Sequence, residues 1–112
     1  MAKYQRTLPY VYALNRIPNH RHRQSMFSHL PSFVADDIAE IVYNIVMGNA
    51  NISKNHKSQL SKIKHELYKI IKTRNRKARR ALIYKQSGGA AFLPLLLPAI
   101  ATVISSVIAK HV

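Results

Sequence analysis

The chain has 112 residues, which leaves room for one small domain, and its 18 lysines and arginines against four acids give a formal charge of +14. Because such an excess repels itself in a compact state, it indicates a polyanionic partner, most often nucleic acid and next an anionic membrane surface. The absence of cysteine excludes a disulfide scaffold, thiolate zinc sites and a cysteine nucleophile.

The N-terminal segment, residues 1–30, is rich in Pro, His, Arg and Tyr and has no clear apolar periodicity. This composition predicts an irregular or extended arm. Tyr4, Tyr10 and Tyr12 lie among basic residues, so one interpretation is that they stack on nucleobases. The favoured interpretation is that they anchor the arm onto a helix.

Residues 31–73 predict a hairpin of two short amphipathic helices. The first spans residues 31–47, with Ser32 as its N-cap and Gly48 as its stop, and the second begins after a cap at Ser53. The lysine-rich face of the second helix would remain in water or on a phosphate backbone. The apolar stripes that the two helices would bury against each other are Val34, Ile38, Ile41, Val42 and Ile45 in the first and Leu60, Ile63, Leu67, Ile70 and Ile71 in the second.

Three of the four acids, Asp36, Asp37 and Glu40, fall in the early turns of the first helix, where the helix dipole favours negative charge. No metal-ligand set or phosphate-binding loop accompanies them, so they are interpreted as surface acids and no enzyme activity is expected. The histidines of residues 20–29 lie among arginines without a cysteine or a spaced acid. They are interpreted as additional basic side chains, and neither a metal nor a cofactor is predicted.

Residues 74–87 form a polybasic segment, which begins RNRKARRALIYK. At 100° per residue its arginines and lysines spread around a helix, which predicts a basic helix that packs poorly into its own domain and contacts phosphates rather than base edges. A nuclear-localisation patch and a merely solvated face are the alternatives. The residues predicted to bind DNA are Lys62, Lys64, Lys69, Lys72, Arg74, Arg76, Lys77, Arg79, Arg80 and Lys85.

The C-terminal segment, residues 88–112, contains 22 uncharged residues from Gly88 to Ala109, which is long enough for a spanning helix. Pro94 and Pro98 are expected to kink the helix or to restrict it to the residues after Pro98. A transmembrane anchor, a membrane-disturbing peptide and a helix buried in a protein assembly are all compatible with this segment. Its apolar side chains are Phe92, Leu93, Leu95, Leu96, Leu97, Ile100, Val103, Ile104, Val107 and Ile108.

The order of a basic run, Gly-Gly and then FLPLLLPAIATVISSVIA resembles the adenovirus core protein precursor pX (mu) family. That family places an arginine-rich peptide before Gly-Gly and a Leu-Pro-Leu-Leu-x-Pro tail after it. Upstream, MGNANISKNHKSQLSKIKHELYKI is similar to a motif in short basic proteins of Polinton-type elements and adenovirus-like viruses. Together the two resemblances cover roughly residues 30–109.

The resemblance implies a role in packing DNA inside a virion, where the basic peptide neutralises double-stranded DNA. It also implies that a viral cysteine protease cuts the chain after Gly88-Gly89, before Ala90. A hinge between two helices is the alternative explanation of the glycine pair. The apolar tail would attach the precursor to capsid protein or membrane during assembly.

The sequence therefore predicts a mostly α protein, with a helical hairpin, a basic helix, a C-terminal hydrophobic helix and an irregular N-terminal arm. The predicted function is that of a viral core protein, located in the virion and the host nucleus, which condenses double-stranded DNA without sequence preference. The alternative is a tail-anchored, lytic or pore-forming membrane protein, located in a membrane.

Overall fold

A computed structural model describes residues 4–50, 52–87 and 92–110, and the side chains at positions 20, 84–87, 93 and 110 lie outside that description. The regular structure within these residues is helical, which confirms the predicted mostly α class. The helices are α1 (Leu8–Arg16), α2 (His20–Ser28), α3 (Ser32–Val46), α4 (Lys54–Ser61), α5 (Lys64–Lys72), α6 (Arg76–Ser87) and α7 (Phe92–Lys110).

The prediction of an irregular N-terminal arm is wrong, because α1 and α2 occupy most of that segment. Pro9 lies in the first turn of α1, where a missing N–H costs no helical hydrogen bond. The Asn19 side chain caps α2 by accepting hydrogen bonds from the backbone N–H groups of Arg21 and His22. Periodicity did not reveal α1 because its buried stripe contains only Val11 and Leu14.

Two of the three N-terminal tyrosines anchor this segment, as the favoured interpretation predicted. Tyr4 is buried, and its hydroxyl accepts a hydrogen bond from the Asn44 side-chain amide at 3.4 Å. Tyr10 packs edge-on against Phe33, with 5.8 Å between the ring centroids. Tyr12, by contrast, is exposed.

The predicted apolar stripe of α3 is confirmed, since Val34, Ile38, Ile41 and Val42 are buried and Ile45 is half-buried. The N-cap is Pro31. Ser32, the predicted cap, is instead the first residue of the helix. The predicted stop at Gly48 is confirmed, and its φ of +77° is a left-handed conformation that glycine adopts without strain.

The second helix of the predicted hairpin is divided into α4 and α5 by a turn at Lys62 and Ile63. The turn lets the two halves pack against different partners, because α4 lies against α7 while α5 lies against α3 and α6. The predicted stripe is nevertheless buried at Leu60, Ile63, Leu67 and Ile70, with Ile71 half-buried. A simple pair of mutually packed helices is therefore not the observed arrangement.

The hydrophobic C-terminal helix, α7, packs against α1, α3, α4 and α6 and lies in the core of the chain's own fold. Pro94 and Pro98 do not restrict the helix to the residues after Pro98, because α7 begins at Phe92 and runs continuously through both prolines. Among the predicted tail residues, Phe92, Leu96, Leu97, Ile100, Val103 and Ile104 are buried, Leu95, Val107 and Ile108 are half-buried, and the Leu93 side chain is outside the description.

In the part of the chain that the structure describes, no helix has both the length and the apolarity required to cross a bilayer. The apolar side chains of α7 instead contact the other helices, so its burial contributes to the stability of the folded chain.

A truncation of Ile100 measures that contribution, because its side chain is fully buried. We expect Ile100→Ala to lower the free energy of unfolding by about 2–5 kcal/mol through lost burial and a residual cavity. Urea unfolding of the full chain, followed by circular dichroism, measures the change. Ser105→Ala, at an exposed position of the same helix, is the control. If both variants unfold at the wild-type urea concentration, α7 is not a core element.

Candidate nucleic-acid interface

Exposed basic side chains follow one another along α4, α5 and the start of α6. We call this set the basic surface. The only acid between residues 54 and 77 is Glu66, which is half-buried. The members of the basic surface are Lys54, Lys57, Lys62, Lys64, Lys69, Lys72, Arg74, Arg76 and Lys77.

The sequence of α5 places its lysines and its apolar residues on different sides. Leu67 and Ile70 are buried against the neighbouring helices. At 100° per residue, Lys69 and Lys72 lie on the opposite side, and both are exposed. Lys64 is also exposed, at the start of the helix, with its Nζ 5.5 Å from the centroid of the Tyr68 ring. The outer side of α5 is thus available to a large anion.

The prediction that α6 is basic all round and packs poorly is wrong. Ile83 is fully buried, and α6 packs against α2, α3, α5 and α7. Arg76, Arg79 and Arg80 lie on the same half of the helix as Ile83. The outer half instead presents Lys77 together with exposed alanines at positions 78 and 81.

Asp36 of α3 forms ion pairs with two of these arginines, Arg76 and Arg80. Arg80 donates from Nε to one carboxylate oxygen at 2.9 Å and from a terminal nitrogen to the other at 2.7 Å. Arg76 forms an ion pair with the same carboxylate at 2.9 Å, although its own side chain remains 72% exposed. The hydrogen bond from Arg80, aided by that from Arg76, lowers the pKa of Asp36 in spite of its partial burial.

Asp37 is buried and joins the N-terminal segment to α3. Its carboxylate accepts hydrogen bonds from the Thr7 hydroxyl and, at 3.1 and 3.2 Å, from the Arg6 guanidinium. The same guanidinium lies 4.5 Å from the centroid of the Phe33 ring. The interpretation of Asp36 and Asp37 as surface acids is therefore wrong, because each binds an arginine from a distant part of the chain.

The structure thus divides the ten residues predicted to bind DNA. Lys62, Lys64, Lys69, Lys72, Arg74 and Lys77 are exposed members of the basic surface. Arg76 and Arg80 bind Asp36, and Arg79 donates from Nε to the Thr73 carbonyl at 3.0 Å. The Lys85 side chain lies outside the described residues, as do Gly88, Gly89 and Ala90 of the predicted cleavage site.

The predicted list of DNA-binding residues also left out two members of the basic surface, Lys54 and Lys57 in the first turn of α4. Both are exposed and directly precede the residues that were predicted. The sequence pattern indicates both lysines, since they belong to the same lysine-rich run that continues through α5.

Among the described residues, no group of three or more histidine, aspartate or glutamate side chains is placed to hold a metal ion. Comparisons with models of protein families, with curated proteins and with solved structures find no match for the chain. That the chain is related to the viral core proteins that residues 30–109 resemble therefore stays a prediction.

The contact between Arg80 and Asp36 yields a prediction about stability. We expect Arg80→Ala to lower the free energy of unfolding by about 1 kcal/mol, because a partly buried carboxylate loses a bidentate partner. Lys77→Ala, which removes an exposed charge from the same helix, should leave stability nearly unchanged. Urea unfolding at neutral pH compares the two variants.

The pH dependence of this difference follows from the lowered pKa of Asp36. A carboxyl group whose pKa is lowered in the folded state stabilises the fold at pH values above its pKa in the unfolded state, which is about 4 for Asp. This stabilisation is lost as the pH falls through the pKa of the folded state. The difference between wild type and Arg80→Ala should therefore shrink as pH is lowered below about 4. A difference that stays constant down to pH 2 would contradict the assignment of Asp36 as the partner.

Proposed function

We propose that this protein binds and condenses double-stranded DNA through the basic surface, without sequence preference. One observation carries the proposal: nine exposed basic side chains between residues 54 and 77 are accompanied by a single half-buried acid. Asp36 binds one member of this set, Arg76, and Asp37 binds Arg6, so neither acid pairs with the seven lysines or with Arg74. The charge therefore remains available to a polyanion.

The mechanism is neutralisation of phosphates by side chains that act as mobile point charges. Lysine has a compact ammonium group on a flexible stem and makes no fixed fork to a base edge. A duplex carries a dense row of phosphates surrounded by condensed cations, and their release on binding drives association. Since phosphate contacts carry no sequence information, binding should be uniform among duplexes.

The resemblance to adenovirus core protein precursors supports placing this activity inside a virion and, during assembly, in the host nucleus. A viral cysteine protease that cuts between Gly89 and Ala90 would break the covalent link between α6 and α7. Attachment of the tail to capsid protein or membrane would require α7 to leave the core in which its apolar side chains are buried. We therefore restrict the proposal to DNA.

A paired substitution tests whether the basic surface is the binding site. Lys69→Gln combined with Lys72→Gln removes two charges from the outer side of α5 without touching the core. We expect affinity for a short duplex to fall roughly tenfold at low salt, equally for two unrelated sequences, because only phosphate contacts are lost. Fluorescence anisotropy of labelled duplexes measures the affinities.

Arg16→Gln combined with Arg21→Gln is the matched control, since it removes the same charge from exposed positions on α1 and α2. This double variant should bind nearly as well as wild type. An equal loss in both double variants would mean that only net charge matters. A strong preference of the wild-type protein for one duplex would contradict binding through phosphates alone.

A further inference from the structure

A groove of about 230 Å³ lies between the end of α3 and the α4–α5 pair. Apolar side chains, among them Val46, Leu60 and Leu67, and the ring of Tyr68 form its lining. The groove exists because the chain turns at Lys62 and Ile63, so that α4 and α5 diverge while their apolar residues still face inward.

Two members of the basic surface, Lys57 and Lys64, also line this groove, and both are exposed. A ligand that fits this groove therefore has an apolar part that fills it and a negatively charged group that can contact the two lysines. A second copy of this chain would bring a further charge of +14, which opposes self-association at this position.

The size and lining of the groove suit a flat aromatic ring. An apolar cavity of about 150 Å³ holds benzene, so a groove of 230 Å³ has room for a nucleobase. Tyr68 is 36% exposed, and aromatic side chains are the usual platforms on which unpaired bases stack. Lysines beside such a platform would bind the phosphates that precede and follow the base.

We propose that this groove takes an unpaired nucleobase of single-stranded nucleic acid, which stacks against Tyr68 while its flanking phosphates bind Lys57 and Lys64. The inference rests on the proposed function, because it uses the same basic surface, and it adds single strands as a second class of ligand. The bases of a duplex are paired and stacked on one another, so a duplex would use the lysines without filling the groove.

Three nucleic acids of equal length separate the contributions of base and phosphate: oligothymidylate, an abasic oligomer with the same phosphates, and a duplex. Fluorescence anisotropy gives the affinity of the full chain for each. We expect the wild-type protein to bind oligothymidylate about tenfold more tightly than the abasic oligomer. In Tyr68→Ala that advantage should disappear, while affinity for the duplex stays unchanged.

Two further variants keep the test specific. Tyr68→Phe should retain the preference, because stacking needs the ring and not the hydroxyl. Tyr12→Ala, which removes an exposed tyrosine of α1, should behave as wild type. Circular dichroism melting of each variant verifies that the fold is intact.

The outcomes distinguish this inference from the proposed function. Equal binding of oligothymidylate and the abasic oligomer by the wild-type protein would overturn the inference, whatever else occupies the groove, such as an acidic peptide or a lipid. A preference that survives Tyr68→Ala would also overturn it. Failure of both the duplex and the abasic oligomer to bind at low salt would instead overturn the proposed role of the basic surface.

Discussion

The fold depends on the burial of α7 among the other helices, of which α3 alone has a long apolar stripe. A formal charge of +14 opposes a compact state, so the chain needs an attractive contribution that is independent of charge. Burial of apolar side chains supplies it, and α7 contributes a large part of the core. Helices as short as α4 and α5 are marginal alone and acquire stability from packing. The apolar tail and the basic surface are therefore parts of one structural unit.

Arginine and lysine side chains differ in their surroundings in this fold. Some arginines hold the structure together, as Arg6 and Arg80 do by binding buried or partly buried carboxylates, whereas others such as Arg74 are exposed. Arg23, which is buried, donates to the Ile17 carbonyl. Every lysine side chain in the described part of the chain is exposed. The planar guanidinium suits fixed bidentate contacts, while the flexible ammonium of lysine suits a polyanion whose phosphates shift position. This division supports assigning the lysines to the ligand.

The sequence predicted the features that are encoded locally and missed those that depend on distant contacts. The stripe of α3 and its end at Gly48 follow from periodicity and backbone preference, and both are present. The inward side of α6 could not be predicted, because it depends on Asp36, which lies 44 residues from Arg80. An apolar helix such as α7 has the same pattern whether it faces lipid or other helices, so three interpretations remained open. The groove beside Tyr68 depends on the turn at Lys62, which no glycine or proline marks.

The salt dependence of duplex binding tests the central claim most directly, because it counts the phosphates that the protein neutralises. If about six lysines and arginines of the basic surface each pair with a phosphate, the logarithm of the association constant should fall with the logarithm of salt concentration with a slope of about −5. Titrations of the full chain with a short duplex across a range of salt concentrations give this slope. A slope near zero, or tight binding that persists at high salt, would contradict the claim that exposed lysines bind the phosphate backbone.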